Sequence, residues 1–128
     1  LIEAGEFTYR SGLEAAERLL SARRPPTAIF ASNDDMAAGV LTAAHRKGLD
    51  VPGQLTVVGF DDTSIATAVW PELTTVRQPV AEMAEAAVRI LSDDIRGRGQ
   101  ARADAPVDRL VTHTLVVRDS CGPAPTAD

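Results

Sequence analysis

The sequence is poor in the residues that several common chemistries need. It has one cysteine, Cys121, which excludes an internal disulfide and any cysteine-rich metal site. Its two histidines, His45 and His113, lack ligand-like spacing, and neither lies near a nucleophile motif, so a Ser/His/Asp site has no support. No apolar run approaches the roughly 18–20 residues that a membrane span needs. A basic excess is missing too: 13 Lys and Arg face 18 Asp and Glu, for a net charge of −5. This stretch does not wrap nucleic acid or an anionic membrane by charge. That says nothing of DNA binding elsewhere in a longer protein. The opening residues, Leu1 and Ile2 followed at once by acids, do not read as a secretory signal, so the expectation is a cytoplasmic location.

Phosphate loops and acidic metal clamps are lacking as well. Gly97-Arg98-Gly99 has no third glycine and follows a helix rather than a strand, so it is no dinucleotide loop. The pairs Asp34-Asp35, Asp61-Asp62 and Asp93-Asp94 are sequence neighbours, whose side chains point in different directions. The expectation is therefore no metal and no cofactor. What remains is a globular composition, 45% apolar and 24% charged over 128 residues. That length fits one domain or a large piece of one. Arginine outnumbers lysine heavily and alanine is abundant, which reads as a compositional habit.

Helix-like and strand-like segments alternate. Ser11-Gly12-Leu13-Glu14 has capping-box spacing, and Leu13, Ala16, Leu19 and Leu20 form an apolar stripe to about Ala22. Arg23-Arg24-Pro25-Pro26 ends that helix. Thr27–Ala31 and Leu55–Phe60 are short apolar runs that read as buried strands. Between them, Ser32-Asn33-Asp34-Asp35 is a helix-start signal, and Gly48 closes the helix after His45, Arg46 and Lys47. A short helix is expected from Thr63 to Val69 and a strand from Thr74 to Gln78. Pro79 then suits the first residue of a helix running to Gly97. A loop over 98–106, a last strand over 108–118 and a frayed tail from Cys121 complete the chain. The pattern predicts an α/β fold, a mostly parallel sheet with helices on both faces.

In open α/β sheets, ligands bind beyond the carboxyl ends of the strands. Two polar clusters fall there, Ser32-Asn33-Asp34 and Asp61-Asp62. Asn33 is either a helix cap or a ligand amide, and the aspartates either cap the segment from Thr63 or accept from vicinal hydroxyls. Phe7 is either a core aromatic or an apolar floor for a planar or sugar-ring ligand. Gln78 is either a loop tie beside Pro79 or a polar ligand contact. Trp70, alone before a proline, reads as packing.

Several runs occur in order: Pro26-Thr27-Ala28-Ile29-Phe30-Ala31-Ser32-Asn33-Asp34, then Met36-Ala37 and Gly39, then Val57-Val58-Gly59-Phe60-Asp61-Asp62, then Leu73-Thr74-Thr75-Val76-Arg77-Gln78-Pro79. Together they resemble the effector-binding domain of LacI/GalR-type transcriptional regulators, from Gly5-Glu6-Phe7-Thr8 to Leu115–Ser120. The resemblance implies part of a two-subdomain, periplasmic-binding-protein-like (type I) fold with the effector in the cleft. Residues 1–78 would belong to the C-terminal subdomain. Residues 79–112 would return to the N-terminal subdomain as a helix and a strand, 113–118 would be the final C-terminal strand, and 119–128 a tail. The DNA-reading headpiece would lie upstream.

The same resemblance gives Phe7 a ring-stacking role, Asn33 and Asp61 hydroxyl-binding roles, and Gln78 a hinge-side polar contact. It places Ala38, Ile65, Ala68 and Val69 in a dimer interface. It implies a non-enzymatic segment with a small effector (a sugar in most of the family), a second copy of itself, and operator DNA read through the headpiece. Membrane is not among the implied partners. The alternative is a solute-binding protein of an ABC-type transport system, which shares the fold.

Overall fold

The computed structural model describes residues 1–96 and 110–124. In chain order the elements are α1 (Tyr9–Leu20), β1 (Ala28–Phe30), α2 (Asp34–Arg46), β2 (Thr56–Asp61), a 3-10 turn (Ser64–Thr67), β3 (Thr74–Arg77), α3 (Val80–Ile95) and β4 (Thr114–Val116). The expected loop over 98–106 and the Gly97–Gly99 stretch lie outside the described residues. The strands form one sheet in the order β1-β2-β3-β4. β1 with β2 and β2 with β3 are parallel, while β4 runs antiparallel to β3. The mostly parallel α/β sheet is as the sequence predicts.

α1 starts earlier than the Ser11 signal predicts. Thr8 is the N-cap, extended at φ −114° and ψ 152°. Its hydroxyl accepts from Ser11 N at 3.2 Å, and Ser11 Oγ accepts in return from Thr8 N at 3.3 Å. Ser11 is thus the inner partner of a capping box rather than the cap. Glu14 pairs with Arg10 instead. α2 begins as expected, with Asn33 as its cap and Asp34 and Asp35 in the first turn. α1 crosses α2 at two glycines. A Cβ at Gly12 would meet the backbone of Met36, and one at Gly39 would meet the backbone of Tyr9 and Leu13. Only glycine permits so close an approach.

α2 covers the sheet face that carries Ile29, Val57 and Gly59. Leu20, Met36, Val40, Leu41, Leu55 and Leu73 fill the core around it. Phe30 and Phe60 mark the opposite face, ring edge to ring face with centroids 6.5 Å apart, and Phe30 is largely exposed.

Two expectations at the end of the chain need correction. The last strand is Thr114–Val116 rather than 108–118. Residues 110–113 are not strand, and 108–109 are outside the described residues. β3 ends at Arg77, which pairs with Thr114, so no β3 residue remains to pair further back. The segment after β4 is not frayed at its start. Ser120, fully buried, accepts from Thr74 N at 2.8 Å and donates to Val57 O at 2.6 Å. Gly122 N donates to Thr56 Oγ1, and Cys121 is half-buried.

The chain divides into two compact units. Unit 1 comprises Leu1–Arg77 and Thr114–Asp128, and unit 2 comprises Gln78–His113. Unit 1 holds the sheet, α1 and α2. Unit 2 holds α3, which begins at Val80 with Pro79 in the cap position rather than as its first residue. Val80, Met83, Leu91 and Ile95 on α3 are exposed. Among the described residues no helix is long and apolar enough to cross a membrane.

Candidate functional site

The carboxyl ends of β1 and β2 lie side by side. Phe30 pairs with Val58, and Ala31 N donates to Val58 O at 2.8 Å. The chain then reaches Asn33 beyond the end of β1 and Asp61 at the end of β2, which places both polar clusters at the carboxyl end of the sheet. Asn33 works in two directions. Its Oδ1 accepts from Met36 N at 2.9 Å, capping α2, and its Nδ2 donates to Phe7 O at 3.0 Å. An amide has two N–H groups and two lone pairs, so capping and ligand binding are compatible in one side chain.

That bond brings Phe7 to Asn33. Phe7 is not a core aromatic: it is 66% exposed, and its backbone adopts φ 57°. A positive φ on a bulky residue is strained and is held here by its surroundings. The ring is thus exposed beside the amide that its backbone carbonyl binds.

Asp61 ends β2 with φ 107°, and Asp62 follows with φ 57°. Both are half-buried. Gln78 is placed in unit 2, as its first residue, directly after Arg77. The structure therefore groups Phe7, Asn33 and Asp61 within unit 1. The capping role considered for Asp62 is not what it does. Thr63 caps the 3-10 turn without a side-chain bond. Asp62 Oδ2 instead accepts from Arg77 Nε at 2.5 Å, and Oδ1 accepts from Arg118 Nη2 at 2.7 Å. Burial alone raises the Asp62 carboxyl, but bonding and charge from Arg118 and Arg77 outweigh it and hold the group below the ordinary carboxylate value.

Sequence reasoning missed Asp34, which holds this end of the sheet together. It is fully buried, at 0% exposure. Oδ2 accepts from Thr63 N at 2.7 Å and from Thr63 Oγ1 at 3.2 Å, and Oδ1 accepts from Thr75 Oγ1 at 2.6 Å. One carboxylate thus joins the start of α2, the turn after Asp62, and β3. Gly59 makes room for it, since a Cβ there would crowd Asp34 Oδ1. Arg118 was also missed; its Nη1 donates to Leu73 O at 2.8 Å. An acid in the first turn of a helix reads as solvent-facing, and no local pattern betrays a partner 41 residues away.

Of the expected pairing residues, Ala68 is exposed, Ile65 and Val69 are half-buried, and Ala38 is 2% exposed. Trp70 beside them is 76% exposed rather than packed. His45 and His113 are exposed. Among the described residues no three His, Cys, Asp or Glu side chains are grouped to hold a metal. A concavity lined by Ile2, Ala15, Leu19, Ile29 and Phe30 lies along α1 and β1; Ser32 reaches it, but Phe7, Asn33 and Asp61 do not line it.

Comparison with known proteins gives the wider setting. A family profile described as a periplasmic binding protein-like domain matches residues 2–121. Catabolite control protein A of Priestia megaterium is 46% identical over 91 residues, covering 71% of this chain and 27% of that protein. The transcriptional regulator CelR, solved as a cellobiose complex, superposes with a TM-score of 0.82 at 35% identity, covering 91% of this chain and 34% of that one. The lac repressor dimer, solved with operator and the anti-inducer ONPF, gives a TM-score of 0.80 at 30% identity, covering 91% and 39%. The chain spans about a third of the length of these relatives. The resemblance to LacI-type regulators stands, and these relatives are not transport proteins.

Proposed function

Because the chain belongs to the periplasmic binding protein-like domain family, we propose that it is the effector-binding and dimerisation segment of a LacI-type transcriptional regulator. One observation carries this reading: Asn33, three residues past the end of β1, and Asp61, the last residue of the adjacent parallel strand β2, lie at the same end of the sheet, and an exposed Phe7 is tied to Asn33 by its backbone. An amide and a carboxylate together offer donors and acceptors to vicinal hydroxyls, and an apolar ring offers a face to a pyranose. The effector class is therefore a saccharide or a related polyhydroxy compound. The cellobiose bound by the CelR relative is of that class. Gln78 keeps the polar contact that the resemblance assigns to it.

Unit 1 corresponds to the C-terminal subdomain with its final strand, and unit 2 to the segment returning to the N-terminal subdomain. The two-unit division of the chain supports this. Ile65, Ala68 and Val69, with Trp70, form the surface that meets a second copy. Ala38 offers that surface almost no area of its own. Operator DNA is met by another part of the regulator, in the cytoplasm. The segment performs no reaction; the effector acts by favouring one state of a pre-existing equilibrium.

The test is a thermal-shift and calorimetric screen of a full-length regulator carrying this chain. The probes are D-glucose, D-ribose, maltose, cellobiose and glucose 6-phosphate. At least one raises the wild-type Tm, and Asp61→Ala removes that rise, because losing a charged acceptor weakens binding roughly 10- to 100-fold. Equal binding by Asp61→Ala would remove Asp61 from the site.

A further inference from the structure

The chain leaves unit 1 after Arg77 and re-enters it at Thr114. These two residues are partners in the antiparallel β3–β4 ladder, so both crossings pass through one register position. The carboxylate of Asp62 reaches both strands. One oxygen bonds Arg77, the last residue of the outgoing strand, and the other bonds Arg118, just beyond the returning one. Arg118 is itself fixed: its guanidinium donates to Leu73 O, and its backbone N donates to Thr74 Oγ1 at 2.8 Å.

Asp62 sits between two anchored points. On one side is Asp61, the last residue of β2, which pairs with Arg77 in the β2–β3 ladder. On the other is Thr63, whose backbone N and hydroxyl both bond the buried Asp34. Asp61 and the linking Asp62 both have left-handed backbones, held there by the surrounding structure. Neither end of the link can give easily. A shift of the peptide at Asp61 is therefore taken up at Asp62, and charge-assisted bonds of this kind depend strongly on geometry.

We propose that Asp62 is a positioning residue that transmits occupancy at Asp61 to β3 and β4, the two strands that join unit 1 to unit 2. This rests on the effector reading above. A merely structural Asp62 would stabilise the strands equally with and without ligand. A transmitting Asp62 changes them when ligand arrives.

The experiment is hydrogen exchange of the full-length regulator, read at the amides of Thr74–Arg77 and Thr114–Val116, with the five probes named above. Affinity is measured alongside by calorimetry. In wild type, a binding probe changes exchange at both strands. Asp62→Asn binds the same probe within about twofold, yet the ligand-dependent change disappears. Arg77→Gln, at a largely exposed side chain, gives the same result and carries the test if Asp62→Asn does not fold. Three outcomes overturn the proposal. If Asp62→Asn raises exchange overall but keeps the ligand-dependent change, the role is structural. If it loses affinity, Asp62 belongs to the binding site. If no probe binds wild type, the saccharide reading falls and takes this proposal with it.

Discussion

Thr75 Oγ1 donates a 2.6 Å hydrogen bond to Asp34 Oδ1, and both residues are completely buried. This bond couples β3 to the first turn of α2, across 41 residues of chain. A buried carboxylate is tolerated only when its lone pairs are used, and Thr63 and Thr75 use them.

Asp34→Ala is expected to cost about 3 kcal/mol, because it leaves Thr63 N and the Thr75 hydroxyl without their acceptor. Asp35→Ala, at an exposed position in the same turn, should change stability by less than about 0.5 kcal/mol. Urea unfolding of the two variants measures the difference. Similar midpoints would remove Asp34 as the tie between the elements.

Gly39→Ala sets two effects against each other. Helix propensity alone favours alanine by about 1 kcal/mol. The added Cβ would collide with α1 backbone, which cannot rotate away as a side chain can. Overpacking of this kind costs about 1–3 kcal/mol, so the net change should be destabilising. A raised thermal midpoint would show that the helices separate easily.

Much of this fold is legible in the sequence because its signals are local. The Asn33-Asp34-Asp35 start of α2, the apolar runs of β1 and β2, and Pro79 ahead of α3 each act within a few residues. One error is local, in which of two capping residues comes first; the others arise where distant partners decide. Thr8 and Ser11 cap each other, which displaces the helix start from the Ser11 signal. β4 is cut short because β3 ends at Arg77. Cys121 is half-buried because Ser120 and Gly122 bond β2 and β3 residues more than 40 positions away. In the candidate site, the polar groups at the strand ends could be named from position alone. The supports, Asp34 beneath them and Asp62 between two arginines, depend on tertiary geometry that no spacing encodes.

Phe7→Gly should separate stability from binding. Phe7 is exposed at φ 57°, where glycine carries no steric penalty. Stability should be unchanged or slightly higher, by up to about 1 kcal/mol, while saccharide affinity falls. Thermal denaturation and calorimetry on the same sample check both. A large loss of stability would return Phe7 to a packing role.

Asp62 gives a pH signature. Its folded pKa lies below the unfolded value of about 3.9. Its stabilising contribution is therefore complete above that value and is lost as pH falls through the folded one. The stability gap between wild type and Asp62→Asn should be steady from about pH 6 to 8 and close below about pH 4. Urea midpoints across that range measure it. A gap that persists at low pH would mean that the ion pairs with Arg77 and Arg118 contribute little.

The most direct measurement is a DNA-binding titration of the full-length regulator on its own promoter DNA, with and without a saccharide that raises its Tm. Wild type should change its DNA affinity when the saccharide is added. Asp61→Ala should bind the DNA as tightly as wild type and show no response. A full saccharide response from Asp61→Ala would contradict an effector site at the ends of β1 and β2.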